Sequence, residues 1–113
     1  MAPVAVARRI DHIKQVSGIT SREIAQLLET TPQTVSRWKA GFSTPQRAKR
    51  DRLLTLEWLV DQLGQVYEPD EARLWLFSPH AQLQGERPVD LIVKGRTDEV
   101  LALIDQLQSA AFV

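Results

Sequence analysis

Apolar residues recur along this chain with a period near that of the α-helix, and start and stop signals fall between the runs. Val6, Ile10 and Ile13 are spaced i, i+4, i+7 and form one stripe, which Val16 extends. Gly18 follows, a residue that accepts the left-handed conformation that ends a helix. Thr20 and Glu23 make a capping box: the hydroxyl takes the Glu23 N–H and the carboxylate reaches back to the Thr20 N–H. Ile24, Leu27 and Leu28 give the second helix its buried face. After the turn Glu29-Thr30, Thr31 is an N-cap and Pro32 suits the first helical position, where no N–H is needed. The third helix is expected to run to about Ala40 and stop at Gly41. Thr44 and Pro45 repeat the cap-then-proline start for a long helix carrying Leu53, Leu56, Leu59, Val60 and Leu63 and ending near Val66. Shorter helices are expected from Pro69 to about Phe77, from Ser78-Pro79 to Gly85 and from Pro88 to Gly95, with Thr97 capping a last one through Val100, Leu101, Ile104 and Leu107. No strand-like alternation, hairpin dipeptide, repeat or low-complexity tract appears. The expected fold is all-α. A helical unit over residues 1–50 is joined through the long helix to a second over 51–113, with a soft boundary near Phe42–Arg52.

The stretch Thr20–Gly41 has the form of a helix-turn-helix: two short helices separated by a tight turn. Close packing needs a small residue at the crossing, supplied by Ala25, and apolar residues aimed back at the first helix, supplied by Val35 and Trp38. These spacings resemble the Xre/Cro-like helix-turn-helix. Many of its members have glycine in the turn where this chain has Glu29, so a strained turn is expected. The third helix then presents Gln33, Thr34, Ser36 and Arg37 to a major groove. Gln suits adenine N6 and N7, and Arg suits guanine O6 and N7. Thr31 and the first N–H groups of that helix suit a phosphate, and Arg22, Lys39, Arg47, Lys49 and Arg50 are candidates for backbone contacts. The plain alternative is a helical hairpin with a wet face. One such unit buries too little surface for specific affinity, so a dimer or a larger assembly is expected.

Charge sharpens the division. The chain of 113 residues has 14 Lys+Arg and 14 Asp+Glu. Residues 1–52 hold ten of the cations and four of the acids, a net of +6, and residues 53–113 hold the reverse, a net of −6. A basic half for nucleic acid and an acidic half for another partner follow from that asymmetry. Cysteine is absent, which excludes disulfides and thiolate chemistry. No apolar run approaches the roughly 18 residues of a membrane span, and the first residues lack a signal peptide's apolar core. A cytoplasmic protein is expected.

The second half shows no chemistry. His80 and His12 each lack a partner at ligand or base spacing. The pairs Asp70/Glu71 and Asp98/Glu99 sit at helix starts, where the dipole favours carboxylates. No phosphate loop and no nucleophile–base pattern occurs. No catalytic residue, metal or cofactor is therefore expected, and the chain is not read as an enzyme. Trp75, Leu76 and Phe77 read as core.

Trp75, Leu76, Pro79, Leu83, Gly85, Pro88, Asp90, Leu91, Gly95 and Val100 nevertheless fall in an order that resembles the C-terminal toxin-binding domain of the Xre/MbcA/ParS antitoxins. With the helix-turn-helix, the resemblance covers nearly the whole chain. It implies a type II antitoxin of the RES–Xre class. The implied partner is a RES-domain toxin that consumes NAD or transfers ADP-ribose from it. The antitoxin would cover the entrance of the NAD pocket with its C-terminal segment and repress its own operon through DNA binding. Trp75, Pro79, Ala110, Ala111, Phe112 and Val113 are the expected toxin contacts. The tail suits this, since Phe112 is a poor solvent residue for a monomer but a good anchor in a partner; folding back on the last helix is the alternative. An acidic half also suits a basic NAD pocket. The other reading left open is an ordinary helix-turn-helix regulator whose second half dimerises or binds a small ligand.

Overall fold

The computed structural model describes residues 2–111. Seven α-helices occur among them: α1 Pro3–Ser17, α2 Ser21–Leu27, α3 Pro32–Ala40, α4 Arg47–Gly64, α5 Pro69–Leu76, α6 Pro88–Val93 and α7 Thr97–Ala111. A three-residue 3-10 turn, Ala81–Leu83, lies between α5 and α6. The described residues contain no strand, so the fold is all-α, as expected.

Local chemistry accounts for most of the boundaries. Gly18 ends α1 at φ 69°, and its N–H bonds the Lys14 carbonyl. The Thr20–Glu23 capping box forms in full at the start of α2. Thr31 caps α3 by accepting the Thr34 N–H at 3.1 Å, with Pro32 in the first turn. Glu29 sits in the turn at φ 54°, the strained conformation its place implied.

Four points differ from the sequence reading. The segment 78–85 is not a helix. His80 is extended, its N–H donates to the Glu86 carbonyl at 3.2 Å, and only the 3-10 turn forms inside that loop. Hydrogen bonds tie both ends of the Pro79–Gly85 interval together, whereas a helix would carry them apart along its axis. The long helix begins at Arg47 behind Gln46, not at Thr44-Pro45; Pro45 is buried ahead of the cap, and no side chain caps the helix. It ends at Gly64, short of Val66. Thr97 is the first residue of α7 and not its cap.

One core runs through both halves, from Val6 and Ile10 to Val100 and Ile104. Helix α1 lies at its centre, against α3, α4 and α5, and α2 touches α6. The radius of gyration, 13.9 Å, matches the roughly 13 Å of a chain this long packed as one body. The boundary at residue 50 falls inside α4. Gly64 lets α4 cross α1, since a Cβ there would stand 2.8 Å from Val16 Cγ1.

Candidate functional site

Two surfaces carry the candidate residues. On the first, Ala25, Val35 and Trp38 lock α2 against α3 and are all buried. Their burial fixes which way α3 faces. Gln33, Ser36 and Arg37 are exposed on its outer side, and Thr34 is half-buried. Thr31 and Thr34 are turned toward each other, their hydroxyls 2.9 Å apart. Thr31 is thus engaged as a cap while the residue stays exposed. Arg22 is exposed at the start of α2, and Lys39 leans from the flank of α3 to donate to the Ser21 hydroxyl at 3.4 Å.

The charge asymmetry of the first half is sharper in the fold than in the sequence. Of the ten cations in residues 1–52, Arg9 pairs with Glu57 and Arg52 with Glu29. The other eight form no ion pair among the described residues, so their field is left for an external anion.

All four cations of the second half are engaged internally. Arg73 holds Glu23 through both guanidinium arms, one at 2.7 Å, donates to the Gly18 carbonyl and lies over the Phe77 ring at 4.8 Å. That clasp holds the Glu23 carboxyl down at about 2. Arg87 forks onto Asp90, and Lys94 and Arg96 converge on Glu86, with Arg96 also on Glu99. The bonds from Lys94 first, then the field of Arg96, hold the Glu86 carboxyl below the usual range. Asp70, Asp98 and Asp105 are exposed and form no ion pair among the described residues, so this surface stays acidic.

The ordered Trp–Pro–Gly pattern proves to be a framework. Leu76, Leu83, Leu91 and Val100 are buried. Gly85 and Gly95 take φ 80°, and Pro88 opens α6. Trp75 keeps 7% of its surface and stacks on the His80 ring at 4.9 Å. The His80 Nε2 lies 2.8 Å from the Trp75 carbonyl, closing the loop onto the end of α5. Trp75 therefore shapes the Pro79 turn, and Pro79 itself is exposed. Ala110 and Ala111 are exposed on the last turn of α7; Phe112 and Val113 lie outside the described residues.

A family model, the antitoxin Xre/MbcA/ParS C-terminal toxin-binding domain, matches residues 62–109. The mycobacterial cidal antitoxin MbcA of Mycobacterium tuberculosis and Mycobacterium bovis is 38% identical over 96 residues, 85% of either chain. The chain belongs to the Xre/MbcA/ParS antitoxin family. A probable mycobacterial cidal antitoxin of M. tuberculosis is 30% identical over 110 residues, 97% of this chain and 93% of its own. The fold also matches a chain in the crystal structure of the M. tuberculosis MbcT–MbcA toxin–antitoxin complex. The TM-score is 0.82 at 35% identity, covering 97% of this chain and 98% of that one.

For this antitoxin-family chain the structure adds features that sequence reasoning missed. Phe42, Trp58 and Leu74 are large apolar side chains left exposed, at 76%, 55% and 69%. Trp58 stands beside Leu101, Ile104 and Gln108, where α4 meets α7. Its place one step off the Leu56–Leu59 stripe was the available signal. Among the described residues no three His, Asp or Glu side chains are placed to hold a metal ion, and no helix is long and apolar enough to cross a membrane.

Proposed function

We propose that this protein binds and neutralises a RES-domain toxin that consumes NAD or transfers ADP-ribose from it, and that it represses its own operon through α2 and α3. The observation that carries the reading is the match along nearly the whole chain to an antitoxin solved in complex with its toxin. The acidic surface of residues 51–113 supports it, because a pocket that receives the NAD pyrophosphate is basic. So does the end of α7. Ala110 and Ala111 are exposed on the last turn of α7, accessible to the mouth of the toxin's NAD pocket. Trp75 and Pro79 belong to this surface as a buried shaper and an exposed tip.

The operator reading rests on the outer face of α3 and on the eight cations of residues 1–52 that form no ion pair among the described residues. Gln33, Thr34, Ser36 and Arg37 face the groove, and Thr31, Arg22 and Lys39 serve the backbone. A homodimer, or a larger assembly with the toxin, supplies the second half-site. Arg37→Ala is expected to weaken binding to operator DNA by about 1–3 kcal/mol while changing random-sequence binding far less. A gel-shift series with equal losses on both would refute base reading by Arg37. For the antitoxin reading, the neighbouring reading frame is expressed in cells with and without this chain while growth and NAD are followed. Arrest with NAD loss, reversed by this chain, is expected. Arrest that this chain does not relieve would leave an ordinary helix-turn-helix regulator.

A further inference from the structure

The seam between α4 and α7 leaves a tryptophan open to solvent. Trp58 is 55% exposed, and it lines a groove of about 200 Å³ together with Leu101, Ile104, Asp105 and Gln108 of α7. The groove has a firm base. Ile104 is buried, and the Gln108 amide donates to the Gln62 carbonyl at 2.8 Å, tying the two helices together. Helical spacing extends the face in both directions. Asp51, Thr55, Trp58 and Gln62 share one side of α4, and Asp98, Leu101, Asp105 and Gln108 share one side of α7. Asp51, Asp98 and Asp105 are exposed and form no ion pair among the described residues. Arg52, next to Asp51 in the chain, is committed to Glu29 and to the Val93 carbonyl, and α7 carries no Lys or Arg. The face is therefore an aromatic centre flanked by unpaired carboxylates.

Charge selects the occupant. These carboxylates repel a nucleic acid. A second copy related by a two-fold axis would set the same acids against one another. A cationic protein surface is attracted, and the face of an indole ring itself binds cations. Place narrows the choice. The region that matches the toxin-binding domain, residues 62–109, begins one turn beyond Trp58 and takes in most of α7. The same helix ends at the exposed Ala110 and Ala111, the segment proposed to cover the toxin's NAD pocket. We propose that Trp58 anchors the toxin interface by docking a basic segment of the toxin, whose Lys and Arg side chains meet Asp51, Asp98 and Asp105. The inference rests on the antitoxin reading above. It places the source of affinity on the α4–α7 seam and leaves occlusion of the pocket to the end of α7.

The test uses the full chain and the purified product of the neighbouring reading frame, with affinity and rates followed over a range of salt. Trp58→Ala is expected to weaken the complex about 30-fold or more, as loss of a central aromatic anchor does. The melting temperature of the free chain is expected to stay unchanged, because more than half of Trp58 is exposed. Stopping NAD consumption should need a correspondingly higher concentration of this variant, yet consumption should still stop completely at saturation, which separates the anchor from the occluding tail. Asp105→Lys is expected to slow association about tenfold and to flatten its dependence on salt, with dissociation changed little. Should Trp58→Ala lower the melting temperature, Asp105→Lys carries the test alone. Unchanged affinity of a stable Trp58→Ala chain, or association of Asp105→Lys as fast as the wild type, would overturn the proposal. A Trp58→Ala chain that loses self-association and binds the toxin as tightly as before would make the seam an interface between copies and overturn it too. A wild-type chain that does not bind the toxin at all refutes the antitoxin reading itself, which is a distinct outcome.

Discussion

Glu29 is the residue where local preference and architecture disagree most. It stands at φ 54° in the turn of the helix-turn-helix, a conformation that costs a residue with a Cβ about 1–2 kcal/mol. Its carboxylate pairs with Arg52 at 3.0 Å, but that pair is largely exposed and such pairs contribute at most about 1 kcal/mol. Its carbonyl, which accepts from Lys49 at 2.9 Å, survives any substitution. Glu29→Gly is therefore expected to raise stability by about 0.5–1 kcal/mol, measured by urea unfolding. A loss would mean that the Arg52 pair outweighs the strain. The turn, its strain and the caps around it were all legible in the sequence. Thr20 with Glu23, and Thr31 with Thr34, are partners three residues apart, and a three-residue spacing is what a sequence displays.

At the scale of elements, the same Glu23 has a second partner that no local pattern reveals. Arg73 is 50 positions away, and it ties the first turn of α2 to α5. Glu23 is held at about 2, below its ordinary 4.5, chiefly by the Arg73 hydrogen bonds. Folding therefore favours the carboxylate. The stability this contributes is present above about pH 4.5 and is lost as pH falls from there toward 2. The wild type is expected to lose melting temperature over that window, and Arg73→Met to show a smaller loss there together with a lower melting temperature at neutral pH. Parallel pH profiles for the two proteins would contradict the clasp. The short elements of the second half were the least legible. Pro79 and Gly85 looked like a helix start and stop, but the backbone bond from His80 to Glu86 makes the segment a closed loop with a 3-10 turn. Proline and glycine mark boundaries without saying what lies between them. Gln46 likewise stands in the cap position of α4 where Thr44 was expected, with Pro45 buried ahead of it.

Across the whole molecule, the two charge halves share one core but present different surfaces. The first leaves eight of its ten cations without an ion pair among the described residues, and the second engages all four of its cations, three on its own acids and Arg73 on Glu23 of the first half. Composition gave the sign of each half; the pairing that decides which charges remain free needed the fold. Order along the chain placed Trp75 among the expected toxin contacts, whereas the fold buries it and exposes Pro79. The end of α7 is the sharpest test of the division between packing and partner. The last buried residue of α7 is Ile104, with Leu107 half-buried beyond it. Deleting residues 110–113 is thus expected to change the melting temperature little and to abolish protection in a growth assay; full protection by the shortened chain would remove the tail from the mechanism.

The most direct measurement is NAD consumption by the purified toxin while this chain, full-length, is titrated into it and complex formation is followed in parallel. The proposed occlusion predicts that NAD loss stops at the ratio where the complex saturates. Continued NAD consumption by a toxin fully bound to this chain would contradict it.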